Sequence, residues 1–308
     1  MLTPRPRRSI LSVPGNNPRM IKKALTLNAD QIMLDLEDSV PVDEKENARS
    51  FVVSAFLEEN WGDKIRSFRI NSLDTPYAYR DIIDVVEKAG ENIDSLIIPK
   101  VNTKCDVYMV SKLLDQIESQ KGIKNRIRLE ASIETAEGLV NAYEIAIASD
   151  RLDTLVFGIS DYSASVNMKN VGISSHGDEE EIYPGHRYHF PLSRMIMAAK
   201  AANLLAIDAP YGNFKDPEGL QNSCNMAAAL GCDGKWAIHP AQIDAINKTF
   251  SPDEREIQQA KKVLEAYEKA KKEKHGAVAI DGKMIDGASL RNAKRIYDQA
   301  RAFGLLTE

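Results

Sequence analysis

Eight short apolar runs, each ending at a polar or turn residue, set the tightest limit on what this chain can fold into. They are Ser9 to Val13 before Pro14 and Gly15, Gln31 to Leu34 before Asp35, Ile65 to Phe68 before Arg69, and Ser95 to Pro99 before Lys100. Ile127 to Ile133 before Glu134, Leu155 to Ile159 before Asp161, Leu204 to Ile207 before Asp208, and Lys235 to Ile238 before His239 complete the series. Helix-compatible segments separate most of them. Strands that end on a charge, alternating with helices, outline an α/β fold of the (β/α)8 (TIM) barrel kind. In such a barrel the residues at the C-terminal ends of the strands carry the chemistry.

The segments between the runs support this. Asp43 and Glu46 stand in capping-box spacing before a helix over Ala48 to Leu57. Ile82, Ile83, Val85 and Val86 give helical spacing to Ala78 through Ala89, with Gly90 placed to cap it. Val107 to Ile117 and Leu139 to Ala148 read as helices in the same way. One connection is long: between Asp161 and a helix near Met195 lies a stretch with Gly172, Gly177, Pro184 and Gly185. Connections of that length are lids or binding elements. After the eighth run, Ser251, Pro252 and Glu254 mark a helix start, and a last helix is expected from about Ala288 to Phe303. The expected division is a catalytic barrel over residues 1–250 and a C-terminal extension over 251–308 that must pack on its own barrel or on a neighbour's.

Composition narrows the partners. With 40 basic against 45 acidic side chains the formal net charge is −5, which gives no reason to expect nucleic acid or an anionic membrane. No apolar run approaches the roughly 18 residues of a membrane span. Met1 to Arg8 is basic but lacks the apolar core of a signal peptide. Cys105, Cys224 and Cys232 are odd in number and lack metal-ligand spacing, as free thiols in a reducing cytoplasm would be.

The charges at the run ends suggest chemistry. Glu134 and Asp161 follow consecutive runs, and adjacent strands lie about 4.8 Å apart, so inward carboxylates there can share a cation. Two carboxylates completed by water suit Mg²⁺, which takes hard oxygen donors in an octahedron. No thiolate ends a run and His239 alone among the histidines directly follows one, so zinc fits less well. A helix cap plus an ion pair would account for the same two residues, and spacing leaves both readings open. Arg69 ends the third run beside Asp35, Glu37 and Asp38. Held by a carboxylate, it presents a fixed fork to a substrate carboxylate or alkoxide; otherwise it closes a rim salt bridge. The Pro14-Gly15-Asn16-Asn17 loop, leading to Lys22 and Lys23, is either a phosphate cradle or a plain turn. Lys100, Asp208 and His239 stay undecided. His176, His186 and His189 lack ligand spacing, and Asp178 to Glu181 reads as a solvated face.

Several segments recur together: Val13-Pro14-Gly15, Leu34 to Val40, Arg69-Ile70-Asn71, Ile98 to Val101, Ile133 to Gly138 and Asp161 to Ser165, followed by Asp208 to Gly212, Lys235 to Pro240 and Gly282 to Asp286. In this order they resemble the citrate lyase β-subunit-like (HpcH/HpaI aldolase) superfamily of CoA-dependent aldolases, and within it the L-malyl-CoA/β-methylmalyl-CoA lyases. The resemblance covers nearly the whole chain. It implies Mg²⁺, or Mn²⁺, on Glu134 and Asp161, and the 2-oxoacid on Arg69 with Glu37 and Asp38 in support. It implies CoA thioester and substrate contacts at Ser12, Asn17, Lys23, Ser160, Asp161, Ile238 and His239. It also makes Asp286 the acid/base, delivered from a tail swapped onto the next subunit of a homotrimer or homohexamer.

The implied activity is reversible, Mg²⁺-dependent cleavage of (S)-malyl-CoA to acetyl-CoA and glyoxylate in the cytoplasm. With β-methylmalyl-CoA or citramalyl-CoA, propionyl-CoA or pyruvate would replace one product. A citryl-CoA lyase β subunit and a CoA-independent 4-hydroxy-2-oxoacid aldolase are the enzymatic alternatives. A regulatory barrel with a vestigial site would have lost some of Arg69, Glu134, Asp161 and Asp286, and all four are present.

Overall fold

The computed structural model describes residues 5–169, 187–272, 278–280 and 283–306. Eight parallel strands close into a barrel in sequence order, β1 pairing with β8. They are β1 (Ser9–Pro14), β2 (Gln31–Asp35), β3 (Ile65–Arg69), β4 (Ser95–Ile98), β5 (Arg128–Ile133), β6 (Leu152–Phe157), β7 (Leu205–Asp208) and β8 (Gly234–Ala237). The helices between them are α1 (Pro18–Leu25), α2 (Lys45–Glu58), α3 (Ala78–Ala89), α4 (Lys104–Lys121), α5 (Ala136–Val140), α6 (Ala142–Ala146), α7 (Ile159–Ser165), α8 (His189–Ala201) and α9 (Pro217–Leu230), with α10 (Ile243–Thr249) following β8. The α/β barrel expected from the run pattern is therefore the observed architecture. No helix among the described residues is long and apolar enough to cross a membrane, and all three cysteines are free.

Alternation along each strand sends every second side chain into the barrel. Ile10, Met33, Ile97, Val156, Ile207 and Trp236 meet there as a buried cluster. One step toward the N-terminal end lies a polar layer, where the Gln31 side-chain amide and the Ser95 hydroxyl donate to buried Glu130 at 2.7 and 2.5 Å. One step the other way lie Asp35 and Arg69, directly paired in the β2–β3 register. The same alternation settles Asp208. Its neighbour Ile207 points inward, so Asp208 turns toward the surrounding helices. There it accepts a 2.5 Å hydrogen bond from Lys235 of β8, both side chains fully buried. It supports the barrel wall.

Several local expectations shift. The sixth strand ends at Phe157 rather than Ile159, so Asp161 lies in the first turn of α7, not at a strand end. The helix expected over Leu139 to Ala148 divides into α5 and α6 at Asn141. Asp43 does not cap α2: a 3-10 turn over Val42–Glu44 precedes the helix, and buried Lys45 donates back to the carbonyls of Leu36 and Glu37 at 2.9 and 2.8 Å. The long connection's Gly172 to Gly185, with His176, His186 and Asp178 to Glu181, falls at residues 170–186, outside the described residues.

The chain divides into two compact units, Arg7–Asn247 and a smaller one formed by Met1–Pro6 with Lys248–Glu308. In the smaller unit α11 (Glu254–Lys272) is followed by an antiparallel pair, β9 (Val278–Ile280) and β10 (Lys283–Ile285), and by α12 (Gly287–Ala302). Ala260, Val263 and Ala293 join α11 to α12, with Leu264, Ile285 and Ile296 against them. The cap of α11 is not the Ser251/Glu254 pair. Asp253 and Glu256 each accept the other's backbone N–H, at 2.7 and 2.9 Å, a capping box two residues further on.

Candidate active site

Asp35 organises the C-terminal rim. Its carboxylate accepts hydrogen bonds from Arg69 Nε and Nη2 at 2.7 and 2.8 Å, a bidentate fork made possible by the Asp35/Arg69 register. It also accepts the Glu37 and Ser39 amides at 2.9 and 3.0 Å and the Ser39 hydroxyl at 2.6 Å, which folds the acidic loop back over the strand end. Burial would raise this carboxyl, but the charge and hydrogen bonds of Arg69, with those from Ser39 and Glu37, bring it down to about 2. Arg69 Nη1 reaches Glu37 Oε2 at 2.9 Å and Asp38 Oδ2 at 3.5 Å. Its guanidinium also lies over the Trp236 ring, 5.6 Å from the centroid. Glu37 is buried, whereas the Asp38 side chain is 59% exposed. Arg69, Glu37 and Asp38 are thus together, with Asp35 as the chief anchor.

Glu134 and Asp161 line one pocket with Arg69, Ser12, Ser132, Ser160, Trp236 and Ile238. Glu134 is 3% exposed and takes the Lys100 amide on Oε1 at 2.6 Å. Burial first, then the like charge of Glu37, pushes it up to about 7 against the pull of Arg69 and Lys100. Gly158 makes this packing possible: a Cβ there would sit 2.1 Å from Glu134 Oε2. The glycine therefore lets the β6–α7 turn, which carries Asp161, close over the Glu134 carboxylate. Buried carboxylate oxygens with excess negative charge around them fit a hard divalent cation. Among the described residues no three His, Cys, Asp or Glu side chains converge to hold a metal. Such an ion would rest on Glu134 and Asp161 and leave its other positions to water and substrate.

Lys100, undecided from its position after the fourth run, stands among the acids. Its ammonium donates to Glu37 Oε1 at 2.6 Å and lies 3.7 Å from both Asp38 and Asp161. The residues expected to grip a phosphate are more dispersed. Asn17 caps α1 through Met20 N at 3.0 Å, so that amide is already satisfied. Lys22 and Lys23 lie in the last turn, and Lys23 is exposed. That puts their backbones roughly 7 to 9 Å along the axis from the N-cap at 1.5 Å per residue, so the pair does not flank the helix start. His239 caps the next 3-10 turn, accepting Ala241 N on Nδ1 at 3.2 Å, and stacks on Phe214 with centroids 4.6 Å apart. Asp286 belongs to the smaller unit, where it caps α12 by accepting the Ser289 amide and hydroxyl at 2.7 and 2.8 Å. Those bonds, the amide first, hold its carboxyl below the usual range. Sequence reasoning missed Gly158, Ser132, Trp236 and Phe214. Period-two spacing from Glu134 would have found Ser132, but nothing local marks Phe214.

A family profile described as HpcH/HpaI aldolase/citrate lyase matches residues 8–240. The chain belongs to that family. It is 41% identical to the L-malyl-CoA/beta-methylmalyl-CoA lyase of Rhodobacter capsulatus over 295 residues, 93% of this chain and 92% of the relative. Among solved structures it is similar to CitE from Mycobacterium tuberculosis in complex with magnesium, acetoacetate and coenzyme A. That protein is 27% identical with a TM-score of 0.74, covering 97% of this chain and 100% of the other. A citrate lyase from Burkholderia xenovorans LB400, 20% identical over 100% of this chain and 95% of its own, shares the fold with a TM-score of 0.85.

Proposed function

We propose that the protein is a Mg²⁺-dependent carbon–carbon lyase that cleaves (S)-malyl-CoA, or its β-methyl or citramalyl counterpart, reversibly. The products are acetyl-CoA or propionyl-CoA and glyoxylate or pyruvate. The observation that carries this reading is the single pocket joining Arg69, fixed by Asp35, to the buried Glu134 and to Asp161. The close similarity to a malyl-CoA/β-methylmalyl-CoA lyase selects this reading over a CoA-independent aldolase. With about 140 Å³ of space the pocket holds a small oxo acid, and the nucleotide of a CoA ester must lie outside it.

Magnesium on Glu134 and Asp161 would supply Lewis-acid stabilisation to a carbinol oxygen and its carboxylate as charge builds there. Arg69 is always charged and cannot rotate away from Asp35, so it meets the same developing charge without reorganising. As the bond between the carbinol carbon and the thioester α-carbon breaks, its electron pair passes to a CoA-ester enolate, while the carbinol becomes the oxo acid's carbonyl and its hydroxyl proton passes to solvent water. Asp286 protonates that enolate, and in the condensing direction its carboxylate removes the same proton. We assign Ser12, Ser160, Ile238 and His239 to the thioester side, with Asn17 and Lys23 toward the nucleotide. Delivery of Asp286 from a neighbouring subunit of a homotrimer or homohexamer belongs to the same proposal, as does a cytoplasmic location, which the free cysteines suit. Incubation with malyl-, β-methylmalyl- and citramalyl-CoA, with and without Mg²⁺, should release glyoxylate or pyruvate only with the metal. Release of no oxo acid from any of them would sink the reading.

A further inference from the structure

Resting on that reading, we propose that Lys100 is a positioning residue which holds Glu37 away from the metal, so that the ion keeps only Glu134 and Asp161 as carboxylate ligands and stays open to substrate. Glu134 and Asp161 line the pocket, and Lys100 Nζ, 2.6 Å from Glu37 and 3.7 Å from Asp161, brings a third carboxylate to its edge. As placed, the three do not converge on one ion, but a Glu37 released from Lys100 could swing toward one as a further oxygen ligand. The structure instead sets Glu37 between two cations: Oε1 accepts a hydrogen bond from Lys100 Nζ at 2.6 Å, and Oε2, which accepts no hydrogen bond, lies 2.9 Å from Arg69 Nη1 as an ion pair. With Oε1 tied to Lys100 and Oε2 facing a fixed guanidinium, the carboxylate is held where it stands rather than free to swing onto a metal.

The backbone at Lys100 points the same way. Its φ of +51° is left-handed, and among the described residues the other non-glycine positions of this kind are Asn167 and Asn203. Glycine or asparagine suits that conformation better than lysine. Glycine would also preserve the backbone N–H that donates to Glu134 Oε1 at 2.6 Å. What glycine cannot supply is the ammonium that reaches Glu37, Asp38 and Asp161, and a side chain kept at a strained position marks a functional constraint.

Lys100→Gly therefore separates the two roles, keeping the backbone and removing the charge; Lys100→Met is its partner and Lys100→Arg the conservative control. The readout is Mn²⁺ bound without substrate, followed by water-proton relaxation and by calorimetry. Freed Glu37 should enter the coordination shell. Relaxation enhancement then falls because water is displaced, metal binds at least as tightly, and kcat/KM drops by at least ~10-fold. Lys100→Arg should recover most of the wild-type relaxation, and Lys100→Gly combined with Glu37→Gln should restore the lost water. A folded Lys100→Gly variant with unchanged relaxation, or with weaker metal binding, overturns the proposal. Absence of turnover in the wild type overturns the lyase reading instead, since the relaxation measurement needs no turnover.

Discussion

Asp35 accepts five hydrogen bonds at the end of β2, two of them from Arg69. Its carboxyl lies at about 2 in the fold against an ordinary 3.8. A carboxylate with a lowered value contributes stability that is fully present above the ordinary value and is lost as pH falls through the folded one. At 1.36 kcal/mol per pH unit the contribution is on the order of 2 kcal/mol. Denaturant unfolding of Asp35→Asn beside the wild type should show a gap that is widest above about pH 4 and narrows toward pH 2. A gap independent of pH would contradict it. At this scale much was legible. Arg69, Glu37, Asp38, Glu134 and Asp161 all stand out as charges beside strand ends. The ranking among them was not, because whether Asp35 or Asp38 grips Arg69 depends on the β2–β3 register.

The β6–α7 turn shows the same limit at the level of elements. An apolar run continues through Ile159, so the sequence places Asp161 at a strand end; the structure stops the strand at Phe157 and starts a helix at Ile159. The reason is Gly158, which lets the chain turn against Glu134 where any Cβ would collide with its carboxylate. In Gly158→Ala the turn must move, taking Asp161 with it. Misplacement by about 1 Å can cost on the order of 10²-fold in rate. Overpacking costs roughly 1–3 kcal/mol in stability. Steady-state kinetics with a Mg²⁺ titration and thermal unfolding should show kcat/KM and metal affinity falling together in a protein that still folds. Wild-type kinetics in that variant would mean the close approach has no bearing on the site.

At the scale of the whole molecule, the chain forms two compact units, with the rim chemistry on one and Asp286 on the other. If subunits complete one another's sites, Arg69→Lys and Asp286→Asn proteins, each inactive alone, should regain turnover when denatured together and refolded as mixed oligomers. No recovery, with mixed oligomers verified by mass, would count against a shared site. What the sequence by itself determined was periodic or local: eight strands from apolar runs that each end at a polar or turn residue, the barrel they imply, and the carboxylates and arginine at its rim. Alternation has a period of two residues, so inward and outward faces can be read along a strand without knowing its neighbours. Only the tertiary structure decided that Asp208 faces Lys235 outside the barrel, that Lys100 joins Glu37 to Asp161, and that Gly158 makes room for Glu134. Each of these depends on which side chains from distant segments arrive at the same few ångströms, and that is set by strand register and loop path rather than by spacing along the chain.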